Sequence, residues 1–84
     1  MAKIFIEVVV PGNAKTYEFA MDNAITIERA KDLVIDQITE IENMELYPDR
    51  RKALFCSVDL KGMLRGVDTL AGVGIKSGYK LILI

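Results

Sequence analysis

The chain has 84 residues, of which 51% are hydrophobic and 27% charged, and its net charge at pH 7 is −1. This length supports one hydrophobic core, so we predict a single domain over residues 1–84. The composition is typical of a globular protein rather than a disordered one. The small net charge gives no general attraction to nucleic acid or to anionic membranes, and neither partner is expected.

The sequence lacks the residues that most catalytic and metal sites use. It contains no histidine, which is the commonest metal ligand and general base. Its single cysteine, Cys56, cannot form an internal disulfide, which indicates a reducing compartment. No signal peptide precedes the first alternating segment, and no apolar run approaches the ~20 residues of a membrane span. We therefore expect a protein of the cytoplasm, or of the cytoplasmic side of a membrane complex, with no membrane insertion, enzymatic activity or cofactors.

Two alternating segments open the chain. Residues 3–10 and 15–21 alternate in polarity, as strands with one buried face do. The connection between them predicts an antiparallel hairpin. Its residues Pro11 and Gly12 favour a type II turn, in which Gly12 would take the positive φ.

One amphipathic helix follows the hairpin, over about residues 26–43. Apolar residues recur every three or four positions, as on one face of a helix; they are Ile27, Ala30, Val34, Ile38 and Ile41. Thr26 is a suitable N-cap, and Glu28 suits the positive end of the helix dipole. Tyr47-Pro48 cannot continue a helix, so the helix should end near Asn43.

The second half predicts short strands and turns. We expect a third strand over residues 53–58, a charged surface loop before it, a short fourth strand over 63–65, a helical turn over 69–75 and a last strand over 79–84. One helix on one face of a mixed sheet of four to five strands, in the order ββαβ(β)β, is an α+β arrangement. This is the β-grasp plan.

Several motifs then resemble ubiquitin over almost the whole chain. Thr26-Ile27-Glu28 followed by Ala30 and Lys31 resembles the start of its helix. Leu64 and Leu70, followed by Ile75, Gly78 and an apolar terminal strand, resemble its second half. Because these positions are mostly core and turn, the resemblance implies the ubiquitin-like β-grasp fold more strongly than it implies a function.

The last residues of the sequence differ from those of ubiquitin and resemble those of another ubiquitin-like group. Ubiquitin and the sulfur carriers end in a flexible Gly-Gly, whereas this sequence ends in Leu81-Ile82-Leu83-Ile84. Gly78-Tyr79-Lys80-Leu81 is similar to the terminal turn and strand of the bacterial YukD/EsaB group. That resemblance implies a non-conjugated accessory or regulatory protein of type VII secretion, which exports small WXG-type proteins.

A carrier of the sulfur-carrier or conjugation type, with a missing or processed tail, is the alternative. A mass shift after incubation with ATP and an adenylating enzyme would favour that alternative.

The sheet supplies the first candidate surface. If alternate residues of each strand face the helix, the residues between them form an exposed apolar patch on the other face of the sheet. Ubiquitin is recognised through this same face. The members of the patch are Phe5, Val9, Phe55, Ile82 and Ile84. The patch would bind a protein partner or pair with itself in a weak homodimer. The competing interpretation is that these are scattered surface residues, or that the third strand has the opposite parity. Replacing Phe5 and Phe55 with serine should leave folding nearly intact if both are exposed, and should unfold the protein if they belong to the core.

The helix supplies the second candidate surface. Asp32, Asp36 and Glu40 are spaced four apart, which stacks them on the outer side of the helix. We call these three residues the acidic helix face. It is either a docking surface or an ordinary solvated helix face.

Overall fold

A computed structural model describes residues 2–84. Its secondary-structure elements follow the predicted order, with a 3₁₀ turn at Arg50–Lys52 inside the expected charged loop. The elements are β1 (Lys3–Val10), β2 (Lys15–Asp22), α1 (Ile27–Glu42), β3 (Phe55–Ser57), β4 (Gly62–Met63), α2 (Leu70–Val73) and β5 (Lys80–Leu83). The strands β3, β4 and β5 are shorter than predicted.

The five strands form one mixed sheet in the order β2-β1-β5-β3-β4. β1 and β5 are parallel, and the other neighbours are antiparallel. α1 packs on one face of this sheet, so the α+β architecture predicted from the sequence is confirmed. The core lies between the helix and the sheet, and Ile6, Val8, Leu81 and Leu83 are completely buried in it.

Local capping fixes both helices. The Thr26 hydroxyl accepts a hydrogen bond from the Arg29 amide at 3.1 Å, as predicted for the start of α1. Asn43 ends α1 in the left-handed conformation with φ of 51°. The Thr69 hydroxyl caps α2 in the same way as Thr26 caps α1, by accepting from the Gly72 amide at 2.9 Å.

The buried stripe of α1 differs from the predicted one at its end. Ile27, Ala30, Val34 and Ile38 are buried as expected, but Ile41 is 60% exposed. The last turn of the helix is oriented by the next residue, Glu42, which contacts the β1–β2 hairpin. Because successive helical residues are rotated by about 100°, Ile41 then points away from the sheet.

Lys31 is buried on the same helix and links it to the segment before β3. Its amine donates a hydrogen bond to the Ala53 carbonyl at 3.0 Å and lies 3.3 Å from the Glu28 carboxylate. A buried amine with both a carbonyl and a carboxylate partner is satisfied, so Lys31 is a structural residue here.

The β1–β2 turn contradicts the predicted type II conformation. The Asn13 amide donates to the Val10 carbonyl and the Ala14 amide to the Pro11 carbonyl, each at 3.3 Å. Ala14, with φ of 58°, holds the left-handed conformation, and Gly12 does not. The hairpin therefore needs its positive φ two residues later than the sequence suggested.

A polar cluster joins this hairpin to the end of α1. The Tyr17 hydroxyl donates to the Glu42 carboxylate at 2.6 Å, and the Lys15 amine lies 2.7 Å from its other oxygen. Asn13 donates to the Tyr17 oxygen at 2.8 Å. The hydrogen bond from Lys15, followed by that from Tyr17, holds the pKa of the Glu42 carboxyl below its ordinary value of 4.5.

Single substitutions at positions 12 and 14 test the backbone conformation of the β1–β2 turn. Ala14→Gly should raise the free energy of unfolding by about 0.5–1 kcal/mol, because glycine adopts positive φ without the steric cost of a Cβ atom. Gly12→Ala should also stabilise, by about 0.4–1 kcal/mol, since a Cβ there meets no atom within 4 Å. Urea unfolding measures both changes, and destabilisation by Ala14→Gly would contradict the assigned turn.

The Glu42 cluster predicts a pH effect. A carboxyl whose pKa is lower in the folded than in the unfolded chain stabilises the fold above its unfolded pKa, and this stabilisation is lost as pH falls through the folded pKa. Glu42→Gln should therefore destabilise the protein at pH 7 and reduce the loss of stability on acidification. Urea unfolding from pH 7 to pH 3 measures this, with Glu40→Gln as the control; equal curves for Glu42→Gln and wild type would contradict it.

Candidate protein-interaction surface

The parity of β3 decides which residues the sheet exposes. Phe55 is directly opposite Leu83 of β5 and is 1% exposed. Paired residues of adjacent strands point to the same face, so Phe55 faces α1 with Leu83. The prediction that Phe55 lies on the exposed face was wrong. The opposite parity, with Leu54, Cys56 and Val58, faces outward.

One row of apolar side chains crosses the outer face of four strands. Val9 of β1 is paired with Ile82 of β5, Ile82 with Cys56 of β3, and Cys56 with Met63 of β4. Met63 is exposed, and the three other side chains are half-buried. The predicted residues Val9 and Ile82 are therefore adjacent at the centre of this face.

Further apolar side chains flank this row. Leu54 and Ile84 exchange two backbone hydrogen bonds, of 3.1 and 2.9 Å, and are both exposed. On the other side of the row, the Val58 amide donates to the Lys80 carbonyl, and Val58 is also exposed. We call this set of seven residues the outer patch: Val9, Leu54, Cys56, Val58, Met63, Ile82 and Ile84.

Phe5 is exposed as predicted but lies apart from the outer patch. It is on the same face of β1 as Val9, four residues away, which is about 13 Å along a strand. Glu7 lies between them and is paired with Lys80, whose amine is 3.9 Å from its carboxylate. This charged pair separates Phe5 from the other apolar residues.

Two apolar grooves adjoin the outer patch at the Ile84 end of the sheet. One of about 360 Å³ lies between the β1–β2 turn and Leu46, and one of about 300 Å³ lies between Pro48 and Ala53. Tyr47 and Ile84 line both grooves. The Tyr47 hydroxyl donates to the Leu83 carbonyl at 2.7 Å, which fixes the ring, and burial raises the pKa of Tyr47.

The acidic helix face is partly neutralised. The guanidinium of Arg50 hydrogen-bonds to the Asp36 carboxylate and lies 3.8 Å from Asp32. The hydrogen bond to Asp36 raises the pKa of Arg50. Glu40 is exposed, and among residues 2–84 it makes no ion pair. The predicted charged loop thus supplies the counter-charge for two of the three acidic residues.

The chemistry available elsewhere is limited. Within residues 2–84, no three side chains of the histidine, cysteine, aspartate and glutamate types are placed to hold a metal ion. Over the same range, every buried side-chain nitrogen and oxygen has a hydrogen-bond partner. None of the helices in this part of the chain has the length and apolar content needed to cross a membrane.

Comparison with known proteins identifies the fold. Similar solved structures include the ubiquitin-like domain of Plasmodium falciparum Dsk2, with 17% identity, coverage of 98% of this chain and 96% of that one, and a TM-score of 0.73. A ubiquitin-like domain from Arabidopsis thaliana has 19% identity, coverage of 100% and 78%, and a TM-score of 0.72. A protein designed on the basis of ubiquitin has 16% identity, coverage of 98% and 87%, and a TM-score of 0.69.

These likenesses establish a ubiquitin-like fold for this chain. At these identities they concern the fold alone. No protein-family model matches the sequence, and a search of curated proteins finds no match.

The parity of β3 predicts a large loss of stability on replacing Phe55 and a small one on replacing Phe5. Phe55→Ala should lower the free energy of unfolding by about 3–5 kcal/mol, because it leaves a cavity beneath α1. Phe5→Ala should lower it by about 1 kcal/mol or less, because Phe5 is 50% exposed. Urea unfolding of both variants measures the difference, and equal effects would contradict the assigned parity.

Proposed function

We propose that this chain is a non-catalytic, ubiquitin-like interaction module that binds a protein partner through the outer patch. The observation that carries the proposal is the continuity of the patch across four strands. Its side chains occupy consecutive rows of one face, on the side of the sheet opposite α1. A contiguous exposed apolar patch is typical of a protein contact, whereas isolated exposed apolar residues are not.

The neighbouring grooves add anchoring sites to this surface. Ile84 belongs both to the outer patch and to the two grooves beside Tyr47. A partner that lies on the patch could insert an apolar side chain beside Tyr47, and buried anchors of this kind contribute most of the energy of many interfaces. Tyr47 is held by its hydrogen bond to Leu83, so less conformational freedom would be lost on binding.

The resemblance to the YukD/EsaB group names the first partners to test. It rests on Gly78-Tyr79-Lys80-Leu81 and on the apolar terminal strand. On this basis we propose that the module acts in the type VII secretion pathway as an accessory or regulatory component. Its partners would be the cytoplasmic segments of that apparatus. The acidic helix face, reduced mainly to Glu40, is a secondary contact in this proposal.

Charge insertion into the outer patch tests the binding mode. Ile84→Glu and Met63→Glu should each weaken binding to a purified cytoplasmic component of the secretion apparatus about tenfold or more, because each would place a carboxylate in an apolar interface. Isothermal titration calorimetry measures the dissociation constants. Ile41→Glu is the matched control, because Ile41 and Ile84 are both 60% exposed but lie on opposite layers.

Three outcomes distinguish the surfaces. Unchanged binding by both patch variants would contradict the outer patch as the docking site. Loss of binding in Glu40→Lys alone would assign the contact to the acidic helix face. Equal loss in Ile41→Glu and Ile84→Glu would show that the loss of binding is not specific to the outer patch, and this too would overturn the proposal.

A further inference from the structure

The free edge of β2 lies outside the proposed docking surface. β2 is the terminal strand of the sheet and pairs with β1 over eight positions, Lys15 to Asp22. Within residues 2–84, no second strand covers its other edge. A long, regular, uncovered edge offers unpaired backbone groups to another strand.

The hydrogen bonds of β1 identify the backbone groups on this edge. The Glu7 amide donates to Tyr79 and the Phe5 carbonyl accepts from Gly78, so the odd residues of β1 face β5. Backbone groups alternate between the two edges of a strand, so the even residues of β1 face β2. Their partners on β2 are the odd residues Lys15 to Met21, and the outward groups belong to the even residues.

The outward backbone groups are those of Thr16, Glu18 and Ala20. Their side chains are exposed on the outer face, while Phe19 and Met21 point toward α1. A groove of about 350 Å³ follows this edge, where Phe19, Met21 and Leu33 of the helix line it together with Glu18, Ala20 and Gln37. An added strand would therefore find backbone partners and a groove with both apolar and polar side chains.

The order of the side chains favours a second copy of β2. Tyr17, Phe19 and Met21 are arranged almost symmetrically about Phe19, with one large residue on each side. A two-fold axis at Phe19 places Phe19 opposite its copy and Tyr17 opposite Met21 of the other chain. The two apolar stripes would then meet along the groove. The stacking of Tyr17 on Phe19, with ring centroids 6.2 Å apart, already orders the centre of the stripe.

Charge selects this register over its neighbours. An axis at Glu18 would place two carboxylates directly opposite each other, and an axis at Ala20 would place Glu18 opposite Asp22. Like charges opposite each other destabilise a strand pair. An axis at Tyr17 would pair the two strands only over residues 15–19. The axis at Phe19 places Glu18 of each chain opposite Ala20 of the other. Each of these two pairs is a hydrogen-bonded pair.

We propose that two copies of this chain associate through antiparallel pairing of their β2 edges, with the two-fold axis at Phe19. The product is a continuous ten-stranded sheet with one outer patch on each half. Pairing at the edge leaves both outer patches uncovered, so the dimer is a bivalent form of the interaction module. The inference stands on the edge geometry and does not require the proposed partner.

Charge substitutions at position 20 test the register. Ala20 is exposed, so these variants should fold. Ala20→Lys would place a lysine opposite Glu18 twice in the dimer and should lower the dissociation constant about two- to thirtyfold. Ala20→Glu would oppose two carboxylates and should raise it by a similar factor. The double variant Glu18→Lys with Ala20→Glu also creates two opposite-charge pairs, so it should reverse the effect of Ala20→Glu and associate about as tightly as Ala20→Lys. Sedimentation equilibrium over a concentration series measures all four proteins.

A second measurement does not depend on substitution. The amides of Thr16, Glu18 and Ala20 should exchange readily with solvent in the monomer, because they lie on the free edge. Those of Glu18 and Ala20 should gain protection as the protein concentration rises, which hydrogen exchange followed by NMR measures. Monomers for wild type and Ala20→Lys at every concentration would overturn the proposal. So would a dimer that Ile84→Glu abolishes and Ala20→Glu does not, because that dimer would use the outer patch.

One further outcome identifies another occupant. If these amides are protected only when a secretion component is added, the edge takes a strand from that component, and the second-copy proposal is wrong. Conversely, Ala20→Glu should bind that component through the outer patch with unchanged intrinsic affinity. The failure of the dimer and the failure of the proposed function are therefore separable.

Discussion

The position of β5 between β1 and β3 is the constraint on which the rest of this structure depends. Its pairing places Leu81 and Leu83 under α1, with Phe55 of β3 beside Leu83. Burying three side chains of this size is worth about 5–9 kcal/mol by transfer from water, which is comparable to the whole net stability of a small domain. A slip of one residue would exchange the two faces of the strand and lose this burial. The same register therefore fixes both the core and the apolar face left outside it.

Features governed by local chemistry could be predicted from the sequence. The start of α1 at Thr26, the first hairpin and the short helix after Thr69 each depend on residues within a few positions of one another. The fold class followed because these elements, taken in order, leave few compact arrangements. Val9, Ile82 and Ile84 were placed correctly because clear alternation in β1 and β5 determines their parity.

Features governed by distant contacts could not be predicted in this way. Residues 53–58 have apolar side chains at both parities, and the alternation that predicted an outward Phe55 selected the wrong one. Ser57 lies on the same face of β3 as Phe55 and is also buried. Burial of this polar residue is possible because its hydroxyl accepts a hydrogen bond from the Leu60 amide at 3.0 Å. Ile41 was misplaced because Glu42 contacts the distant hairpin, and no pattern within the helix contains that information. The ion pairs of Arg50 with the acidic helix face are likewise set by the tertiary fold.

The central place of Cys56 in the outer patch has a practical consequence. It is the only cysteine of the chain, and it lies between Ile82 and Met63 in the row that crosses the sheet. Its half-buried thiol gives a unique attachment point for a small fluorophore or a nitroxide, with no other thiol to compete. A reporter there would sample the environment of this one face and would be remote from the β2 edge. A label on this natural cysteine would therefore distinguish contacts at the outer patch from contacts at the β2 edge without any substitution.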